Sequence, residues 1–150
     1  MTGVQTCALP ISTGDLNSFF GDIAGAHNTT GRINTFFGAD AGFNNTTGDA
    51  NSFFGLNAGN NTTTASFNSF FGQGSGFLNT TGASNSFFGQ NAGLNNTTGA
   101  GNIFIGSNAG TRDTAIQVNK STAIGNGARD RKSTRLNSSH RSLSRMPSSA

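Results

Sequence analysis

Residues 14–30 read Gly14-Asp15-Leu16-Asn17-Ser18-Phe19-Phe20-Gly21-Asp22-Ile23-Ala24-Gly25-Ala26-His27-Asn28-Thr29-Thr30, and this 17-residue phrase returns five more times in register. The copies begin at Gly14, Gly31, Gly48, Ala65, Gly82 and Gly99. Their shared core runs Asn17 to Gly21, then Asn34-Thr35-Phe36-Phe37-Gly38, then Asn51-Ser52-Phe53-Phe54-Gly55. It continues as Asn68-Ser69-Phe70-Phe71-Gly72 and Asn85-Ser86-Phe87-Phe88-Gly89, and drifts to Asn102-Ile103-Phe104-Ile105-Gly106. A seventh core, Ser121-Thr122-Ala123-Ile124-Gly125, comes two residues late, because Gly125 lies 19 after Gly106. A fixed period of this length means one small unit stacked on copies of itself. Such stacks build surfaces more readily than enclosed catalytic pockets.

The repeat accounts for residues 13–129, and both flanks are foreign to it. Residues 1–11 resemble the translation of a short-read sequencing adapter. Residues 130–150 resemble the opposite adapter read through and translated. We therefore set 1–12 and 130–150 aside as adapter-derived and expect them to be disordered.

That exclusion changes the electrostatic reading. The whole chain carries a net charge of +3. On its face this suggests nucleic acid or an anionic membrane as partner. However, Arg131, Lys132, Arg135, Arg141 and Arg145 all lie in the foreign tail. Within 13–129 the cations are Arg32, Arg112, Lys120 and Arg129, against Asp15, Asp22, Asp40, Asp49 and Asp113; four minus five leaves −1. A near-neutral body argues against nucleic acid or direct membrane contact. The single cysteine, Cys7, falls in the N-terminal scar, so the repeat can hold no disulfide and no thiolate metal site. No stretch reads as a membrane span. An exported protein would need its signal and anchor outside this segment.

Glycine recurs several times per unit, with Asn, Thr and Ser filling much of the rest, and these residues disfavour helix interiors. Asn-Ser-Phe-Phe reads instead as a strand of four or five residues ended by glycine. A weaker extended stretch is expected through the second half of the unit, for instance Ala41 to Thr47. Two short strands and two turns make one coil. The predicted fold is all-β, a parallel β-roll or solenoid of 17-residue coils; six coils at about 4.8 Å each would rise roughly 29 Å. Gly21, Gly38, Gly55, Gly72, Gly89 and Gly106 are the turn glycines that let the chain leave each strand. Gly25, Gly42, Gly59, Gly76, Gly93 and Gly110 form a second ladder. The stacked Asn17, Asn34, Asn51, Asn68, Asn85 and Asn102 can bond their own backbone or one another along the axis.

The paired phenylalanines carry the functional argument. Neighbouring strand residues point to opposite faces. Phe19 and Phe20 cannot both enter one narrow roll, nor can Phe36/Phe37, Phe53/Phe54, Phe70/Phe71, Phe87/Phe88 or Phe104/Ile105. One column must fill the core; the other faces outward, as an apolar stripe larger than soluble monomers usually expose. Self-association would bury it. Sequence alone leaves open which residue of each pair faces in.

Asn-Ser-Phe-Phe-Gly-x-x-Ala-Gly, with the later Ser121-Thr122-Ala123-Ile124-Gly125, resembles the head repeats of YadA-like trimeric autotransporter adhesins. Related runs occur in tail-fibre-like bacterial and phage proteins. The resemblance covers 13–129. It implies one coil of a left-handed parallel β-roll per repeat, three chains side by side, and an adhesive role on the cell surface or a virion tail. The chain departs from that family in replacing Ala-Ile by Phe-Phe and in its longer period. Asn28-Thr29-Thr30, Asn45-Thr46-Thr47, Thr62-Thr63-Thr64, Asn79-Thr80-Thr81 and Asn96-Thr97-Thr98 are expected to form the wet surface that meets a host or matrix ligand.

Catalytic readings find little support. His27 is the lone histidine of the repeat and has no partner at catalytic spacing. Stacking would place Asp15 above Arg32 above Asp49, an alternating surface ladder rather than a metal site. Calcium-roll repeats carry Asp in every copy, which this chain does not. Asn28-Thr29-Thr30 matches a glycosylation acceptor but reads better as turn chemistry. No catalytic, cofactor or metal residue is assigned. Alternatives to the adhesive head are a phage-type tail-fibre segment, a self-assembling fibrillar matrix protein, and an ice-binding solenoid.

Overall fold

The computed structural model describes residues 13–111, 114 and 117–129. The two adapter-like flanks lie outside the described residues. Seven strands follow in chain order: β1 (Ser18–Phe20), β2 (Thr35–Phe37), β3 (Ser52–Phe54), β4 (Ser69–Phe71), β5 (Ser86–Phe88), β6 (Ile103–Ile105) and β7 (Thr122–Ile124). Each pairs only with its sequence neighbours, in parallel, to give one seven-stranded sheet ordered β1 to β7. The register joins equivalent residues, Phe19 to Phe36 to Phe53, and so on up the stack. At the top it shifts to an offset of 19, pairing Phe104 with Ala123. The chain is an all-β parallel solenoid of 17-residue coils, as its period predicts.

Each coil holds one strand, not two. The Ala41–Thr47 stretch is turn and bend. Its backbone bonds tie back within the coil, as Asn45 N–H to Gly42 O at 3.0 Å, or step to the next coil, as Gly42 N–H to Ala58 O at 2.9 Å. The strands themselves are three residues long, shorter than expected. Both ends are set by backbone conformation. Two residues before each strand the chain is left-handed, at Leu16 (φ 60°), Ile33 (58°), Ala50 (53°), Phe67 (63°), Ser84 (59°) and Lys120 (53°). Immediately after it stands a glycine, with φ from 141° at Gly21 to 124° at Gly106. A Cβ on Gly38 would lie 2.5 Å from Gly55 O of the next coil, so close backbone stacking also requires glycine here.

The first phenylalanine of each pair faces inward. Phe36, Phe53, Phe70, Phe87 and Phe104 are fully buried, and Phe19 packs on the same cluster from the first coil. Successive rings stack at 4.8–4.9 Å with interplanar angles of 4–8°. A column of small buried residues, Ala24, Ala41, Ala58, Ser75, Ala92 and Ala109, fills the remaining space. The coil is thin enough that a Cβ on Gly42 would sit 2.4 Å from the Phe36 ring of its own coil. Burying each ring contributes roughly 1.5–3 kcal/mol.

Two amide columns complete the interior. Asn34, Asn51, Asn68, Asn85 and Asn102 are wholly buried. The Asn34 backbone N–H donates to Asn17 Oδ1 at 2.9 Å, and the same bond repeats up to Ser121 N–H on Asn102 Oδ1 at 3.0 Å. The Asn17, Asn34, Asn51 and Asn85 amides also donate to a carbonyl 14 residues on, as Asn17 Nδ2 to Gly31 O at 2.8 Å, and Asn102 Nδ2 donates to Val118 O, 16 residues on, at 2.8 Å. The column thus links coils mainly through backbone groups; Asn51 and Asn68 add side-chain to side-chain bonds within it at 3.2 Å, and Asn102 Nδ2 reaches Asn96 Oδ1 at 3.4 Å.

The second column corrects an expectation. Asn28, Asn45, Thr62, Asn79 and Asn96 are buried, not wet. Their amides close the coil corner: Asn28 Nδ2 donates to Gly31 O at 2.9 Å, and Asn45 Nδ2 to Asn28 Oδ1 at 2.8 Å. A buried backbone corner must be satisfied, and Asn reaches it. This burial also removes Asn28 as a glycosylation acceptor. Of each Asn-Thr-Thr, only the last threonine is fully exposed.

Candidate functional site

The alternation that buries Phe36 turns Phe37 outward. Phe20, Phe37, Phe54, Phe71 and Phe88, continued by Ile105 and Ile124, form a ridge along the outer face of the sheet. Phe20 is 66% exposed, Phe37 50%, Phe88 40% and Ile124 66%. Rings stack at 4.8 Å between Phe20 and Phe37, 4.8 Å between Phe54 and Phe71, and 5.0 Å between Phe71 and Phe88. The stack slips at Phe37–Phe54, where the centroids stand 6.1 Å apart. Parallel sheets in folded proteins are ordinarily covered on both faces. Here the inner face meets the roll's own core, and the outer face carries a bare aromatic ridge.

Sequence reasoning overlooked a second apolar column. Leu16 (75% exposed), Ile33 (58%) and Phe67 (66%) occupy the left-handed position before the strand. The signal was present, since these are the apolar members of a variable position immediately before each Asn. Between the two columns runs a line of short side chains, Ser18, Thr35, Ser52 and Ser69, on the same outward face.

Charged and polar side chains lie elsewhere on the surface. Arg32 makes two bonds to the Asp15 carboxylate, through Nε to Oδ1 and Nη2 to Oδ2, while its backbone N–H donates to Asp49 Oδ1 at 2.7 Å. The Arg32 hydrogen bonds hold Asp15 below the ordinary carboxylate range, and the same bonds raise Arg32. The stacked order Asp15, Arg32, Asp49 is therefore present, but the guanidinium pairs only with Asp15. His27 Nδ1 lies 3.2 Å from Asn44 Oδ1, and its ring leans on Phe43 at 4.3 Å. It lines a shallow groove of about 470 Å³ with Asn44, Asn61, Leu78 and a file of threonines. Those threonines hydrogen-bond up the axis, as Thr46 Oγ1 to Thr63 O at 3.0 Å. No acid, base or nucleophile converges in this groove. Among the described residues, no three of His, Cys, Asp or Glu gather where a metal ion could be held.

No family model, curated protein or solved structure matches the chain. The outer face of the sheet, with its phenylalanine ridge and apolar flank, is the feature that asks for a function.

Proposed function

We propose that this chain is a non-catalytic structural and adhesive head segment of a surface-exposed fibre built from three copies of itself. The observation that carries the reading is the outward ridge from Phe20 to Ile124. The exposed ridge residues Phe20, Phe37, Phe88, Ile105 and Ile124, with Leu16, Ile33 and Phe67 of the flank, present roughly 900 Å², taking about 200 Å² for a large side chain in full exposure. A stable protein–protein interface buries about 800 Å² per partner. The area is thus sufficient for association, and too large to leave in water without cost.

The number three comes from the resemblance of the repeat to YadA-like head repeats, and so does the location, outside the cell or on a virion tail. The partner is the same chain. The groove beside His27 and the exposed last threonines remain free for a host or matrix ligand. The near-neutral body supports neither nucleic acid nor a membrane as partner.

Light scattering on the purified chain tests this. A discrete species at three times the 15.3 kDa protomer mass is expected. A stable monomer at micromolar concentration would overturn it. Fibrils that lengthen with time would favour a self-assembling matrix protein, and thermal hysteresis an ice-binding one.

A further inference from the structure

Each of the first five strands shows one hydroxyl and one phenyl side chain on its outer face. The hydroxyl line runs Ser18, Thr35, Ser52, Ser69 and Ser86, beside the ridge. β6 breaks the pattern. Its sequence is Ile-Phe-Ile; Phe104 is fully buried, while Ile103 is 43% exposed and Ile105 39%. Both outward positions of this one strand are therefore apolar. Pairing sets Ile103 beside Ser86 and Thr122, and Ile105 beside Phe88 and Ile124. Phe88, Ile103, Ile105 and Ile124 thus make one contiguous patch, two side chains wide where the rest of the ridge is one.

The coil does not need isoleucine at 103. Serine or threonine serves at the equivalent position of the six other strands. The branched side chain suits a strand, but so does the threonine of β2 and β7. What Ile103 changes is the outer surface. A ridge that repeats every coil has no unique mate. Two such ridges displaced by one coil, 4.8 Å over most of the stack, still set phenyl against phenyl. Pairing register is held by pattern, and a uniform pattern holds it weakly. A single unlike residue can fix it, as one does in a coiled coil. Here a slip of one coil would lay Ile103 of one copy at the level of Ser86 or Thr122 of the other, exchanging an apolar neighbour for a hydroxyl.

We infer that Ile103 is the register key of the self-associated form: copies meet at equal height, β6 beside β6, with their axes parallel. The occupant is a second copy of this chain, which presents the same patch at the same level. An antiparallel pair could also bring β6 to β6. However, β6 is the sixth of seven strands, so such copies would overlap only near their tops. Phe88, Ile103, Ile105 and Ile124 together expose roughly 400 Å² on the scale used above, about half of what one partner buries in a stable interface. The parallel arrangement keeps patch on patch and also covers Phe20 and Phe37. Equal heights are what a closed rotational ring demands, whereas a staggered contact repeats into an open helix. The inference rests on the self-association proposed above.

Moving the key tests it. In the full chain, Ile103→Thr supplies the residue that β7 carries at this position, and Ser52→Ile in the same molecule places an isoleucine on β3. The apolar surface is conserved and only its height changes. The relocated-key protein is isotope-labelled, mixed with an equal amount of parent in denaturant, refolded, and weighed by native mass spectrometry. Circular dichroism checks that the sheet is retained; should Ser52→Ile disturb it, Ser69→Ile moves the key to β4 for the same comparison. Labelled and unlabelled parent, refolded together, give the random share of mixed oligomers. Parent and relocated-key protein are each expected to self-associate but to sort apart, with mixed oligomers severalfold below that share. Random mixing of the two would overturn the register key while leaving self-association standing. A parent chain that stays monomeric would instead remove the reading beneath it.

Discussion

Gln117 Oε1 accepts the backbone N–H of Thr97 at 2.8 Å, in the place where every earlier coil uses a backbone carbonyl. Three coils below, Thr63 O receives Thr46 N–H at 2.9 Å; lower still, Thr46 O receives Thr29, Thr30 and Gly31 at 2.9, 3.1 and 3.3 Å. Gln117 Oε1 likewise receives Thr97, Thr98 and Gly99 at 2.8, 3.0 and 3.3 Å. The coil after Gly106 is two residues longer. A side-chain amide stands in for the carbonyl. Asn119 Oδ1 accepts Ala100 N–H at 2.7 Å, as Asp49 Oδ1 accepts Arg32 N–H and Ser66 Oγ accepts Asp49 N–H in earlier coils.

Gln117→Ala should therefore loosen the top of the stack. Three backbone donors, part-buried at Thr97 and Gly99 and exposed at Thr98, lose their acceptor, which should cost about 1 kcal/mol. Hydrogen exchange at Thr97, Thr98 and Gly99 should quicken, with little change at Thr29 to Gly31. Unchanged protection at Thr97 would show that the amide is dispensable.

Thr62 interrupts the inner Asn28–Asn96 column. Its hydroxyl and the Asn45 Oδ1 above which it stacks are buried and lack partners among the described residues. Thr62→Asn would restore the bond that Asn45 makes to Asn28 and Asn96 makes to Asn79, each at 2.8 Å. A gain of about 1 kcal/mol is expected in chemical denaturation. The reverse change, Asn79→Thr, should lose a comparable amount.

Phe53 and Phe54 are neighbours in sequence and opposite in role. Phe53→Ala should cost about 3–5 kcal/mol of protomer stability, because it opens a cavity within a continuous ring stack. Phe54→Thr should alter the fold little and act on oligomeric mass. Equal losses of unfolding free energy in dilute, monomeric samples would contradict the inward and outward assignment.

Gly42 has φ 59°, and any Cβ there would lie 2.4 Å from the Phe36 ring, whereas Gly101 has φ 70° and nothing nearer than 3.5 Å. Both substitutions to alanine incur the left-handed penalty, about 1–2 kcal/mol. Only Gly42→Ala also displaces a core ring. Its thermal midpoint should fall well below that of Gly101→Ala.

Asp15 titrates below its ordinary value of 3.8 because Arg32 hydrogen-bonds its carboxylate. The native state thus favours the ionised form. The stabilisation from this pair is present above the unfolded value and disappears as pH falls through the lowered native one. Melting curves of the parent chain and of Asp15→Asn should differ at neutral pH and converge in acid, and added salt should narrow the gap. A gap that persists in acid would exclude the ion pair as its source.

Much of the fold could be read from Asn17 to Thr30 alone. The period announced a solenoid. The glycine after Phe20 announced the end of the strand, and adjacent aromatics on a pleated ribbon announced one buried and one bare column. The reading erred where local composition and tertiary position disagree. Asn28-Thr29-Thr30 looks like solvent-loving loop, yet Asn28 is needed inside to satisfy a corner of backbone that the stack buries. Ala41–Thr47 looks extended, yet Gly42 and Asp40 turn left-handed there. The exposed column at Leu16, Ile33 and Phe67 was hidden because a side chain's direction at a left-handed residue depends on the path of the whole coil.

Repetition by itself determined the parallel stack, since identical units with identical hydrogen-bonding needs are best satisfied by one another. Alternation determined that the two phenylalanines must part. Only the tertiary structure decided that the first goes in and the second goes out. The inward direction is set by where the next turn closes, and in this coil the turn at Gly42 leaves just enough room for the ring of Phe36.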